Sequence, residues 1–173
     1  MEKYVLGVDI GSGSVKLTLL SKAGKIAATA GREYPTHYPH VGWCEQEPED
    51  WCKAFRSAFE DILNVAAVKA EQIEALALDA ATHTAVLLDE NLQMIRPAIL
   101  WTDQRSKEEV QWLKDNCLEL VMKQAMNAPT TVWTLPSLTV WRFMWSIRRP
   151  GVATTIWGAF FSWVICLSMG WPP

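Results

Sequence analysis

Two short apolar runs near the start of the chain, Tyr4 to Ile10 and Val15 to Leu20, are separated only by Gly11-Ser12-Gly13-Ser14. A gap that short and that flexible makes the two runs, read as strands, fold back on each other as a hairpin. A carboxylate, Asp9, stands just before the turn, and Lys16 stands just after it. Glycine lets backbone N–H groups face an anion with no Cβ in the way. Ser12 and Ser14 add hydroxyl donors, Lys16 adds a compact positive charge, and Asp9 is suited to hold Mg²⁺ directly or through water. The pattern predicts a phosphate-binding hairpin. It is not a Walker A loop, because no Gly-Lys-Ser/Thr follows and the turn leads into a strand. A plain surface hairpin with a solvated Lys16 fits the same residues, so the motif alone leaves both readings open.

At 173 residues the chain has room for one domain with a sizeable core. A net charge of −3 and the lack of any basic run interleaved with aromatics argue against nucleic acid as a partner. Cys44, Cys52, Cys117 and Cys166 form no CxxC pair and no Cys/His cluster. That spacing speaks against zinc and against a disulfide framework, and for reduced thiols in a cytoplasmic protein. Met1-Glu2-Lys3 runs straight into a strand, so no ordinary signal peptide is expected.

A turn at Lys22-Ala23-Gly24-Lys25 leads to a third strand, Ile26 to Tyr34, which completes an antiparallel meander. Pro35 to Glu47 reads as a loop. Pro48 suits the first turn of a helix, with Glu49 and Asp50 near its positive end. Trp51, Phe55, Ala58, Phe59, Ile62 and Ala66 then recur at helical spacing and give that helix one apolar face. Ile73 to Leu78 reads as a buried strand, and Thr84 to Leu88 and Ala98 to Trp101 as two more, with a turn at Asp89-Glu90-Asn91. Ser106 is expected to cap a helix running through Glu108, Val110, Trp112 and Leu113. Three strands, a helix, then further strands and a helix define an α/β arrangement that needs cover on both sheet faces.

Four segments, in this order, resemble the FGGY carbohydrate kinases of the actin/hexokinase/Hsp70-like superfamily. They are Gly7 to Lys16; Gly42-Trp43-Cys44-Glu45-Gln46-Glu47-Pro48-Glu49-Asp50-Trp51; Thr82-His83 before Ala85-Val86-Leu87-Leu88-Asp89; and Arg96-Pro97-Ala98-Ile99-Leu100-Trp101-Thr102-Asp103-Gln104-Arg105. Pro129 to Pro136 extends the likeness. The resemblance implies an actin-like ATPase (ribonuclease H-like) α/β domain over residues 1–136, the first of the two domains of a sugar kinase and incomplete. It implies ATP- and Mg²⁺-dependent phosphorylation of a sugar hydroxyl, a pentulose such as xylulose foremost, and a homo-oligomer for the full-length form.

Carried over position by position, Asp9 would lie near Mg²⁺ and the phosphates. Gly11, Ser12, Gly13, Ser14 and Lys16 would form the first phosphate turn. His83, with Thr82 beside it, matches the histidine that touches the sugar in xylulose kinases, and Trp101, Asp103 and Arg105 lie on a loop lining that pocket. Trp43 and Trp51 read as packing residues, Glu45 and Gln46 either reach the sugar or brace the loop, and Asp103 with Arg105 also fits an exposed ion pair. Asp79-Ala80-Ala81-Thr82-His83-Thr84 departs from the Ser-Gly-Gln-Met-His-Gly usual in xylulose kinases, which leaves the sugar open. The catalytic Asp of the family lies in the second half of a full-length member, and no residue here matches it. The chain is therefore expected to be an inactive fragment. The alternatives are a non-catalytic actin/Hsp70-like nucleotide-binding protein, which the segments around Trp43 and Trp101 disfavour, and a fragment anchored to a membrane by its tail.

Residues 137–173 change character. They contain no Asp, Glu or Lys, and they hold Trp141, Trp145, Trp157, Trp163 and Trp171, half of the 10 tryptophans. Gly151 to Trp171 after Arg148-Arg149 has the charge pattern of a membrane span, although its Gly, Ser and Trp content argues against one. Read from the third base of each codon, Met144 to Gly151 is compatible with Val-Glu-His-Pro-Glu-Thr-Trp-Arg, and Phe160 to Val164 with Phe-Phe-Val-Gly-Asp. Both resemble what the family carries after Thr-Leu-Pro. The tail is expected to be a frameshifted continuation of a kinase gene.

Overall fold

The computed structural model describes residues 2–89, 91–125 and 128–131. The proposed tail and most of the Pro129–Pro136 segment lie outside the described residues. In chain order the elements are β1 (Tyr4–Ile10), β2 (Ser14–Ser21), β3 (Ile26–Glu33), β4 (Glu45–Gln46), α1 (Pro48–Ala66), a 3₁₀ turn at Ala70–Gln72, β5 (Ile73–Ala80), β6 (Ala98–Ile99) and α2 (Lys107–Ala125). They divide into two compact units: residues up to Thr36 with Glu47–Ala81, and His37–Gln46 with the residues from Thr82 onward.

The first unit is a sheet of order β3-β2-β1-β5, antiparallel through the meander, with β5 added parallel to β1. The parallel step needs a crossover, and α1 supplies it. Register places Leu6 opposite Leu19, Val8 opposite Leu17 and Ile10 opposite Val15. These side chains share one face, and Leu6, Val8, Val15, Leu17 and Leu19 are buried. Ala54, Ala58 and Ile62, one helical turn apart, are the buried stripe of α1, with Trp51, Phe55, Phe59 and Ala66 packed around it. Small residues along that stripe let the helix sit close to the sheet, and fully burying Ile62 contributes about 1.5–3 kcal/mol. Pro48 opens the helix, with Glu49 and Asp50 in the first turn.

One expectation changes here. β5 is a strand, but it is not buried: Leu76 is 54% and Leu78 41% exposed. Its parallel pairing puts Leu76 and Leu78 on the helix-bearing face, in register with Leu6 and Val8. α1, however, packs chiefly over β2 and β3 and leaves the β5 edge uncovered within this unit.

In the second unit β4 pairs antiparallel with β6. Thr84 to Leu88 forms no continuous strand and makes only isolated bridges, Ala85 to Ile99 and Leu88 to Met94. Thr84, Ala85, Val86 and Leu87 are buried in succession. A consecutive apolar run of that kind carries no periodicity to separate a strand from an irregular buried segment. Ser106 does precede α2, yet its hydroxyl is buried without a partner, and only its carbonyl accepts, from the N–H of Val110 at 3.0 Å. Expected side-chain capping is absent there.

Candidate functional site

The hairpin of the first unit forms as its glycine and serine content predicts. Gly11 N–H donates to the Ser14 carbonyl at 3.0 Å and closes the turn between β1 and β2. Ser12 and Gly13 are exposed at its tip. A Cβ on Gly13 would meet nothing within 4 Å, whereas one on Gly11 would come within 3.4 Å of the Ser14 carbonyl oxygen. A side chain at Gly11 would make only ordinary contact, and the space beside Gly13 is open to a ligand. Asp9 and Lys16 stand opposite each other across β1 and β2, with Asp9 Oδ2 3.6 Å from Lys16 Nζ and both side chains substantially exposed. Asp79 stands opposite Asp9 on the other side, in parallel register. Its Oδ1 accepts the N–H of Ala80 at 2.9 Å.

Tyr34, a residue to which the sequence assigned no role beyond ending β3, holds this turn from beneath. Its hydroxyl donates to the Gly11 carbonyl, and its own N–H donates to the Gly13 carbonyl at 3.2 Å. The ring is buried and packs against Trp51 with centroids 6.5 Å apart. Burial, with the Asp9 carboxylate adding to it, pushes the Tyr34 hydroxyl up to about 12. The phenol therefore keeps its proton, and its donor role, at neutral pH.

The second unit joins the two Trp-containing segments quoted above. Leu100 N–H donates to the Cys44 carbonyl at 3.0 Å, and Gln104 N–H to the Gly42 carbonyl at 2.7 Å. Gly42 has φ +80, a backbone state that favours glycine, and a Cβ there would lie 3.5 Å from Gln104 Cβ. Beneath this backbone pairing lies a buried charge network. Asp103 is 0% exposed and accepts the N–H of Cys44 at 2.7 Å, the N–H of Arg105 at 2.9 Å, Arg105 Nε at 2.8 Å and Arg105 Nη2 at 2.6 Å. Glu45 Oε1 accepts Arg105 Nη2 at 2.6 Å and is also bonded by Arg96. The Arg105 guanidinium lies 3.8 Å over the Trp43 ring, and that of Arg96 lies at 5.8 Å. Burial alone would lower the Arg105 pKa, but its bonds to Asp103 and Glu45 outweigh that and raise it.

This geometry decides among the readings left open. Asp103 with Arg105 is not an exposed ion pair, because both side chains are at least nine-tenths buried. Glu45 braces the loop, and Trp43 packs against the guanidinium groups. The oxygens of Asp103 already carry four N–H donors, so a sugar hydroxyl would have to displace one of them. Of the remaining predicted residues in this unit, Thr82 is exposed, while His83 and Trp101 are half-buried. His83 has φ +54. A left-handed backbone at a residue other than glycine costs about 1 kcal/mol or more. Arg96 is the residue of this network that the sequence reading passed over. The signal was available in an arginine just ahead of an apolar strand and Pro97, facing a loop that carries a glutamate.

Among the described residues no cluster of His, Cys, Asp and Glu is arranged to hold a metal by itself, and no helix is long and apolar enough to cross a membrane. Cys44, Cys52 and Cys117 are free thiols.

The α/β sheet with its hairpin is the first part of an actin-like ATPase fold. A xyloylose kinase from Brucella ovis superposes with a TM-score of 0.76 at 31% identity, over 87% of this chain and 32% of that one. A xylulose kinase from Rhodospirillum rubrum superposes with a TM-score of 0.70 at 25% identity, over 82% of this chain and 29% of that one. Residues 4–150 match the FGGY family of carbohydrate kinases, N-terminal domain, and the chain belongs to that family. A xylulose kinase from Bacillus subtilis is 31% identical over 136 residues, which is 79% of this chain and 27% of that protein. A glycerol kinase from Chelativorans is 35% identical over 120 residues, 69% of this chain and 24% of that protein. The chain thus spans about a quarter to a third of the length of the relatives it matches.

Proposed function

We propose that this chain carries the first phosphate turn and part of the sugar pocket of a cytoplasmic, ATP- and Mg²⁺-dependent sugar kinase. The observation that carries the reading is the exposed Gly11–Ser14 turn flanked by Asp9 and Lys16 on facing strand positions. The residues suit a magnesium-bound polyphosphate. Gly13 has open space beside it, Ser12 and Ser14 bring hydroxyls, Lys16 brings charge, and Asp9 has an exposed carboxylate for the cation. Bound Mg²⁺ would neutralise phosphate charge, the main demand of phosphoryl transfer. The chain's own contribution is to hold N–H donors and Lys16 in place before the anion arrives.

His83, Thr82 and Trp101 are the proposed contacts of the second unit to a polyol, with Asp103 and Arg105 acting on that surface from below. The substrate is a pentulose such as xylulose, supported by the names of the Bacillus subtilis and Brucella ovis relatives. Glycerol is the competing substrate, from the glycerol kinase relatives. No residue of the chain matches the family's catalytic Asp, so binding without turnover is expected. Calorimetric titration with MgADP should give binding that Asp9→Ala or Lys16→Ala weakens about tenfold, or about 1.4 kcal/mol. Absence of binding by the unaltered chain refutes the reading. Release of ADP from ATP and xylulose would refute the proposed inactivity.

For residues 137–173 we propose a shifted reading frame. The support is the out-of-frame likeness of Met144 to Gly151 and Phe160 to Val164 to family residues, whereas the family match in the present frame runs to residue 150. The nucleotide sequence is the deciding observation: family codons in the neighbouring frame support a shift, and their absence removes it.

A further inference from the structure

The phosphate turn has a problem that its sequence does not solve. Glycine and serine make it flexible, and each of its peptide units carries a carbonyl as well as an N–H. A carbonyl turned toward a phosphate repels it, so a turn free to rotate its peptides is a poor anion site. Preorganisation requires the carbonyls to be held elsewhere.

In this chain three of the turn's four are. The Gly11 carbonyl accepts the Tyr34 hydroxyl, the Gly13 carbonyl accepts the Tyr34 N–H at 3.2 Å, and the Ser14 carbonyl accepts the Gly11 N–H at 3.0 Å. One residue thus fixes two of these three carbonyls, one through its side chain and one through its backbone. Its ring is buried and packs against Trp51 on α1, while Ser12 and Gly13 are exposed at the tip of the turn. We infer that Tyr34 is a positioning residue that locks the Gly11–Ser14 turn in its phosphate-receiving form by holding the Gly11 and Gly13 carbonyls away from the ligand. The inference rests on the nucleotide reading above and adds to it the element that orders the turn.

Tyr34→Phe removes one hydroxyl and keeps the ring against Trp51. In the ligand-free full chain, amide exchange of Gly11 should rise about tenfold, with exchange in α1 and β5 unchanged. Titration with MgADP should show affinity weakened about tenfold. Unchanged exchange at Gly11 overturns the lock, and so does a uniform rise through α1 and β5, which would mark loss of general packing. If the unaltered chain binds no MgADP, the nucleotide reading fails and the phosphate role of the lock fails with it. If it binds and Tyr34→Phe binds equally, only the lock fails. Should Tyr34→Phe not fold, 3-fluorotyrosine in the otherwise unaltered chain gives the same answer. The ¹⁹F resonance of Tyr34 should move on adding MgADP while those of Tyr4 and Tyr38 stay, and a still Tyr34 resonance during binding overturns the inference.

Discussion

Asp103 belongs to a polar loop after β6, yet its side chain is wholly buried. Its carboxylate is buried and answers to Cys44 and Arg105, while Arg105 answers in turn to Glu45 and to the Trp43 face. Removing one member leaves a buried charge unmatched, at about 3–5 kcal/mol. Asp103→Ala is therefore expected to unfold the second unit at a markedly lower urea concentration, followed by near-ultraviolet circular dichroism. Arg105→Lys should also destabilise, because an ammonium cannot reproduce the fork to Asp103 or the stacking on Trp43. Tyr34 gives a second prediction, in pH. Folding raises its pKa from 10 to about 12, so its contribution to stability is complete below pH 10 and lost as pH rises through 12. The urea midpoint should fall over that window, and fall less in Tyr34→Phe. These roles were partly legible in the residues. Asp103 and Arg105 were marked as a pair on a polar loop, but their burial depends on Glu45 and Trp43 arriving from a distant segment.

At the scale of elements, α1 ends on a fault that its sequence reveals once the backbone is known. Ala67 takes φ 52, in the left-handed region, so that its N–H and that of Val68 can reach the Asn64 and Leu63 carbonyls at 3.3 and 3.0 Å. This closing motif favours glycine. Ala67→Gly should raise stability by about 0.5–1 kcal/mol in urea unfolding, the relief of left-handed strain exceeding the greater entropy of glycine in the unfolded chain. The meander and α1 follow their predicted ranges closely, because period-2 and helical apolar spacing are local properties. The short pair β4 and β6 escaped prediction as a pair, since two residues carry no period and their bonding partner is supplied by the fold.

At the scale of the molecule, the uncovered β5 edge is the exposed feature of the first unit with a physical consequence. Leu76 and Leu78 continue the apolar face of β1 past the reach of α1. An exposed apolar edge strand invites pairing with other chains. Leu76→Lys should reduce concentration-dependent light scattering while changing unfolding stability by less than about 0.5 kcal/mol. By itself the sequence determined the strand hairpin, the helix with its apolar stripe, and the family, because each is written in residues close together in the chain. Tertiary structure alone decided which of those residues are exposed and which are buried and hold the others. Asp103 turned inward, β5 came to an edge, and Tyr34 came to lie beneath a turn twenty residues away in sequence. Burial and hydrogen-bond partnership are set by segments that meet only on folding, and no local pattern encodes them.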